Sequence, residues 1–466
     1  MRTALAVIGI VSIAFAAGLN LSYLLLWPFA RRGLSREVRR RGWSWYEEVF
    51  ASPLTPGVSI VVPAWNEDRV VLEAMESFLA QRYPEFEIVI VDDGSTDDTA
   101  RVVIERHGLV PVAPAPRGRV DYEPAFEQYQ STGAHAITLV RKANGGRADA
   151  VNCGIDFARH PYVLVTDADS ILDPDAITVM ARPVLEDPAR VVAVGGTIRV
   201  VNSCTVEAGR VTEVRLPSGQ LAAFQVVEYL RAFLFGRLGW GSLGGLISVS
   251  GAFGLFRRDV VEEVGGFWRD TVGEDLEMTI RLHHHMRRSG RPYRITFAPD
   301  PVCWTEVPGD IVHLGRQRRR WHRGLWEALW RHRGMMGRPR YGVTGLIALP
   351  YCLVFEFMGP LVEGAAWVAF PIGLALGVID PLICAAFVLV SWLLGTLVTV
   401  AACGLEESGY SNYRRSGDLP RMLMLSATEN LGFRQLIDLY RIAGVWDLVR
   451  RKRHWGAMHR RGFSAA

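Results

Sequence analysis

Two long apolar stretches bracket a middle region of short apolar runs. Residues 3–30 carry no charge. The apolar run 4–29 exceeds the roughly 20 residues that cross a bilayer. A second apolar region covers 343–405, broken only by Glu356, Glu363 and Asp380. Asp380-Pro381 divides it, and 381–405 predicts one span. The part before Asp380 exceeds a simple span of roughly 17–25 residues. It predicts an interfacial or re-entrant piece around 349–359 and a span around 360–379. Glu356 and Glu363 then either pair or line a polar path, or reach the interface as long polar side chains do. Residues 421–447 mix apolar positions with Glu429, Asn430, Arg434, Gln435, Asp438 and Arg441, the pattern of an amphipathic helix at a membrane surface.

Charge at the flanks sets the expected orientation. Ala14-Phe15-Ala16 has the form of a signal-peptide cleavage site. However, the apolar run continues past it into a basic block of Arg31, Arg32, Arg36, Arg39, Arg40 and Arg41. The positive-inside rule makes that block cytoplasmic. Three spans in all also leave the basic tail, with Arg450, Arg451, Lys452, Arg453, Arg460 and Arg461, in the cytoplasm. The expected location is therefore the plasma membrane, multi-pass, with a cytoplasmic middle region.

That middle region alternates short β-branched runs with helical spacing. Residues 58–63, 86–91, 162–166 and 191–195 read as strands. Residues 70–80, 99–107, 148–158 and 276–286 read as helices. Alternation of this kind predicts an α/β domain with a largely parallel sheet, whose ligands bind beyond the carboxyl ends of the strands. Polar residues fall there: Asn66-Glu67, Asp92-Asp93 and Asp167-Ala168-Asp169. The stretch 113–136 reads as a long insertion, either a lid or a loop.

Composition narrows the classes. The chain has 466 residues, 49% of them hydrophobic, and a mean hydropathy of +0.14, which excludes a disordered protein. Six cysteines without a Cys-x-x-Cys pair do not make a disulfide scaffold or a zinc site. A net charge of +4 requires no nucleic-acid partner, and none is expected.

Several motifs could carry chemistry. Asp167 and Asp169 share a side of an extended tripeptide, and hard oxygen ligands suit Mg2+ or Mn2+. Lys142-Ala143-Asn144-Gly145-Gly146-Arg147 is a basic glycine-rich turn entering a helix. It is either a phosphate cradle or an ordinary turn; it is not a Walker loop. Gly273-Glu274-Asp275 opens a helix, where a carboxylate serves either as general base or as a cap. His283-His284-His285 reads as a solvated helix face, because adjacent helical residues diverge. Gln225, Glu228 and Arg231 share a helix face, which suits a surface ion pair or a binding role. Gln317, Arg320 and Trp321 sit in a basic stretch. That stretch is either a lipid anchor, or a site where arginine holds phosphate and the indole stacks on a sugar.

Taken in order, Asp-Asp-Gly, Asp-x-Asp, Gly-Glu-Asp and Gln-x-x-Arg-Trp resemble the membrane-embedded family-2 glycosyltransferases. That group includes the hyaluronan, chitin oligosaccharide, cellulose and poly-N-acetylglucosamine synthases. The resemblance covers residues 55–330 and implies a nucleotide-sugar-binding, GT-A-like domain with flanking transmembrane and interfacial helices. It implies donor contacts at Pro63, Asn66, Glu67, Asp92, Asp93, Lys142, Gly145, Gly146, Asp167, Gln317, Arg320 and Trp321. It implies metal (Mg2+ or Mn2+) at Asp169 with Asp167, and a catalytic base at Asp275 beside Glu274. Ser250-Gly251-Ala252-Phe253, with Trp321, would support the acceptor. The chain departs from cellulose synthases: no long carboxy-terminal barrel follows, and the Phe-x-Val-Thr gating segment is absent.

The domain plan that follows is a transmembrane helix at 1–30, a basic linker at 31–54 and a catalytic domain at 55–330. An interfacial helix with about two spans follows at 331–405, then an amphipathic basic tail at 406–466. The resemblance implies an inverting transfer from a nucleotide-diphosphate sugar, UDP-linked by expectation, to a growing β-linked polysaccharide. The alternative acceptor is a lipid such as a polyprenyl phosphate. A non-catalytic scaffold would lack the carboxylates, which are present. The bilayer is a partner in either case. The small membrane part would need interfacial helices or a membrane partner to complete an export path.

Overall fold

The computed structural model describes residues 2–40, 52–133 and 136–450. Arg41 of the basic block and Arg451, Lys452, Arg453, Arg460 and Arg461 of the tail lie outside these residues. The described chain divides into two compact units. One gathers Glu37–Arg215 and Leu246–Val307; the other gathers the N-terminal residues through Arg36, Leu216–Gly245 and the chain from Pro308 onward. The division differs from a continuous 55–330 block, because 216–245 and 308–330 cluster with the apolar helices.

The first unit is built on twelve strands: β1 Val58–Ala64, β2 Phe86–Asp93, β3 Val110–Val112, β4 Ala125–Gln130, β5 Ala136–Lys142, β6 Tyr162–Thr166, β7 Ser170–Leu172, β8 Val191–Val200, β9 Thr205–Glu207, β10 Arg210–Glu213, β11 Phe253–Arg257 and β12 Arg294–Thr305. Ten form one sheet in the order β3-β4-β5-β2-β1-β6-β11-β8-β12-β7, and β9 and β10 form a small hairpin. The core β5-β2-β1-β6 is parallel, in the register Val58↔Phe86 and Val58↔Tyr162. Its strands are near-continuous β-branched runs because helices cover both faces. On one face Val89, Val91 and Val140 pack against Ala150, Cys153 and Phe157 of the helix Arg147–Phe157. That approach needs Gly154, where a Cβ would lie 2.4 Å from Val61 Cγ1.

All four sequence-predicted strands are present and the core of the sheet is parallel as expected; its flanking strands make the whole sheet mixed. β11 runs antiparallel to β6 and β8, and β12 rejoins β8 in parallel. The 113–136 insertion also differs from a lid or loop: β4 lies inside it and pairs antiparallel with β5. Its residues AFEQYQ are half polar, so apolar alternation does not mark them.

Among the described residues three helices are long and apolar enough to cross a membrane, Gly9–Arg39, Thr344–Ala375 and Pro381–Gly409, and they fall in the second unit except for the end of the first helix. The stretch 349–359 is not a separate interfacial piece. It lies inside the helical run Thr344–Ala375, as wide π-turns at Thr344–Ala348 and Cys352–Phe357. Pro350 and Pro360 lack an amide donor there, and wide turns absorb the lost helical bonds. The amphipathic tail is two helices rather than one, Asp418–Thr428 and Phe433–Val449.

Several polar residues of this unit are paired within apolar surroundings. Tyr23 donates to Glu356 at 2.9 Å, and Arg434 holds Glu363 at 3.1 Å. The Gln225, Glu228 and Arg231 face is not a surface ion pair. Gln225 donates to the Pro308 carbonyl at 2.8 Å, Glu228 accepts from Arg318 at 2.7 Å, and Arg231 binds Glu429 and Thr399.

Candidate active site

The loops after β1, β2, β5 and β6 emerge at the carboxyl ends of adjacent parallel strands. Asn66 adopts a left-handed φ of 59°, which Asn tolerates better than most residues. Its side-chain oxygen accepts from the Thr96 amide at 2.8 Å, and the Glu67 amide donates to Thr99 Oγ1 at 2.8 Å. The first two loops are therefore laced together. Pro63 sits in β1 beside them, paired with Val91.

Asp93 organises the glycine-rich turn. Its carboxylate accepts from the Gly145 amide at 3.0 Å, the Gly146 amide at 2.8 Å and Lys142 Nζ at 2.5 Å. Lys142 is completely buried and also reaches Asp149 at 2.5 Å and the Ala143 carbonyl at 2.6 Å. Those acceptors match the three donors of an ammonium. Burial alone would lower the Lys142 pKa, but Asp149 and Asp93 outweigh it and hold it above the usual value. The structure thus differs from the phosphate-cradle expectation: the two glycine amides and Lys142 are directed at Asp93 instead. Asp92 is buried too, accepting from the Ser95 amide at 3.0 Å and Arg141 at 3.2 Å.

Asp167 follows β6 directly, and Asp169 precedes β7, 2% exposed. Arg147, the first residue of the helix Arg147–Phe157, extends across to Asp167 and Glu274. Nε and Nη2 donate to Asp167 Oδ1 at 2.9 and 2.6 Å, and Nη1 donates to Glu274 Oε1 at 2.9 Å. Opposite charge at the start of a helix was the one available signal, and sequence spacing does not reveal its partners.

Asp275 stands in the first turn of the helix Glu274–Arg288. Its Oδ2 accepts from the Gly251 amide at 3.0 Å, and its Oδ1 from the Leu276 amide at 2.7 Å. The loop Ser250-Gly251-Ala252-Phe253 is thereby tied to the Gly-Glu-Asp motif, and the Ala252 carbonyl accepts from Thr166 at 3.1 Å. Asp275 remains partly exposed, so its carboxylate is reachable from solvent. Deeper in the same helix His283 is not solvated. It is buried between Tyr293 Oη at 2.7 Å and the Leu246 carbonyl at 2.8 Å, and burial pushes its pKa down to about 4.

In the second unit Gln317, Arg320 and Trp321 lie on the helix Ile311–Arg331 at spacings of three and four, which share one face. Gln317 Oε1 and Arg320 Nε are buried without a hydrogen-bond partner among the described residues. Trp321 is 42% exposed, with the Arg318 guanidinium 4.5 Å from its ring centre.

Among the described residues no group of three or more His, Cys, Asp or Glu could hold a metal ion. Asp167 and Asp169 nevertheless fit Mg2+ or Mn2+ as a carboxylate pair. Such ions commonly use one or two carboxylates and complete their shell with substrate phosphates and water.

Comparison with known proteins bears on the family and the fold. A family model described as glycosyltransferase-like family 2 matches residues 56–324. The poly-β-1,6-N-acetyl-D-glucosamine synthase of Staphylococcus epidermidis is 29% identical over 276 residues, 59% of this chain and 56% of that protein. The same-named synthase of Staphylococcus aureus is 28% identical over 275 residues, 59% of this chain and 56% of that protein. The chain thus spans about half the length of these curated relatives. A mannosyltransferase from Pyrobaculum calidifontis, solved with GDP-Man and Mn2+, has the same fold, with a TM-score of 0.50 and 21% identity over 91% of this chain and 99% of that one.

Proposed function

The chain belongs to glycosyltransferase family 2, and we propose that it extends a β-linked polysaccharide from a nucleotide-diphosphate sugar in a single inverting displacement. The observation that carries this reading is the fixed carboxylate of Asp275. It is held by the Gly251 amide, next in sequence to Glu274, which shares Arg147 with Asp167. An acid of the donor motif and the residue preceding the expected base are therefore joined through one arginine.

In this reading Asp275 takes the proton from an acceptor hydroxyl as that oxygen attacks the anomeric carbon. One base suffices, unlike the carboxylate pair of glycoside hydrolysis. Asp167 and Asp169 would hold a divalent cation, Mg2+ or Mn2+. Such an ion supplies positive charge to a departing diphosphate. Arg320 contributes fixed positive charge, and the exposed Trp321 ring offers a stacking face to an acceptor sugar. Pro63, Asn66, Glu67, Asp92, Asp93, Lys142, Gly145 and Gly146 form the donor-side frame, shaping the pocket more through buried bonds than through direct contact. The three apolar helices among the described residues support a membrane location, and the basic residues flanking them favour the cytoplasmic side for the catalytic unit.

The relatives' product makes UDP-N-acetylglucosamine the first donor to test, with GDP-mannose as comparison. Purified full-length protein is incubated with each donor, Mn2+ and labelled sugar, and products are read by mass spectrometry. A ladder of oligomers is expected. No incorporation from any common nucleotide sugar would sink the reading, and a single chloroform-soluble glycolipid would replace extension by transfer to a lipid carrier.

A further inference from the structure

Arg147 stands where three separate segments converge. Its backbone is set by the Gly145-Gly146 turn, which Asp93 pins. Its guanidinium bridges Asp167 after β6 and Glu274 at the start of the helix Glu274–Arg288. The third segment makes room for it: a Cβ at Gly251 would lie 2.7 Å from Arg147 Nη1. The side chain is 25% exposed, so it is reachable from solvent but largely enclosed.

The charge pattern explains the bridge. Asp167, Asp169, Glu274 and Asp275 lie on two short segments, and enclosed carboxylates are costly unless a cation offsets them. A guanidinium suits two separate carboxylates because its donors form a rigid planar fork. Burial opposes the charge on Arg147, yet Asp167 and Glu274 outweigh it and raise its pKa. A divalent cation bound at Asp167 would meet this resident positive charge, and like charges repel.

Resting on the donor-site reading above, we infer that Arg147 is a placeholder cation: it neutralises Asp167 while the site is unloaded and yields that carboxylate when a divalent ion arrives with the donor diphosphate. Glu274 retains the guanidinium during the exchange, so Arg147 acts through Asp167 as a positioning residue. Its consequence is that metal binding depends on nucleotide. The free ion must displace the arginine, whereas an ion carried by diphosphate brings its own ligands.

The test is Mn2+ binding to the purified full-length protein, read by electron paramagnetic resonance with and without UDP. Wild type is expected to bind Mn2+ weakly alone and much more tightly with UDP. Arg147→Gln should bind Mn2+ alone about tenfold more tightly, a difference of about 1.4 kcal/mol, and gain less from UDP. Merely structural damage would weaken binding instead. Arg147→Lys, which keeps charge but loses the fork, should fall between and serves if the glutamine variant does not fold. Equal or weaker Mn2+ binding in both variants, with UDP-dependent binding intact in wild type, overturns the placeholder role alone. Failure of wild type to bind Mn2+ with UDP overturns the donor-site reading and this inference with it.

Discussion

Lys142 Nζ lies 2.5 Å from Asp93 Oδ1, with the Lys142 side chain wholly buried and that of Asp93 4% exposed. The pair joins the ends of β2 and β5, neighbours in the sheet, and Asp149 closes it from the helix Arg147–Phe157. Removing one partner of a buried ion pair leaves the other uncompensated, which costs about 3–5 kcal/mol. Lys142→Met should therefore lower the melting temperature sharply, measured on detergent-purified protein. An unchanged melting temperature with lost donor affinity would instead put Lys142 in direct contact with the donor.

Asp275→Asn removes the proposed base while keeping an oxygen that accepts from the Gly251 amide. Turnover should fall by about 10²–10⁴-fold, the usual weight of general base catalysis. Donor affinity by calorimetry should stay within about twofold. Near-normal turnover would remove Asp275 from that role.

Trp321 is well exposed, and the Arg318 guanidinium lies against its ring. Trp321→Ala should leave thermal stability nearly unchanged and reduce acceptor-dependent turnover at least about tenfold, since aromatic faces contribute binding beyond simple area. Trp321→Phe should recover much of it. Equal losses in both variants would argue against stacking.

His283 should make the fold acid-sensitive. Its folded pKa, pushed down by burial to about 4, lies below the ordinary histidine value of 6.5. The folded state thus favours the neutral ring. That contribution is fully present above the unfolded value and is lost as pH falls from about 6.5 to 4. At pH 5 the loss is about 2 kcal/mol. Melting temperatures between pH 7.5 and 5 should fall more steeply in wild type than in His283→Gln. Parallel slopes would show that other groups govern the acid response.

Much of the fold was legible because local rules sufficed. β1 and β2 are β-branched runs, the helix Thr99–His107 has apolar spacing, and the long apolar stretches match bilayer thickness. β4 escaped notice because AFEQYQ lacks alternation and gains its place by pairing with β5. The π-turns around Glu356 escaped because helical periodicity reads through them.

The sequence alone determined which residue types stand at the strand ends, since acids, glycines and an aromatic in a set order are a property of the chain. Tertiary structure alone decided what those groups do with their charge. Folding turned the Gly145 and Gly146 amides onto Asp93, enclosed Lys142 between two aspartates, and swung Arg147 onto Asp167 and Glu274. These partners lie from 7 to 127 positions apart. Hydrogen bonds and ion pairs act over a few ångströms of space, so only the packed chain selects among the partners that the sequence offers.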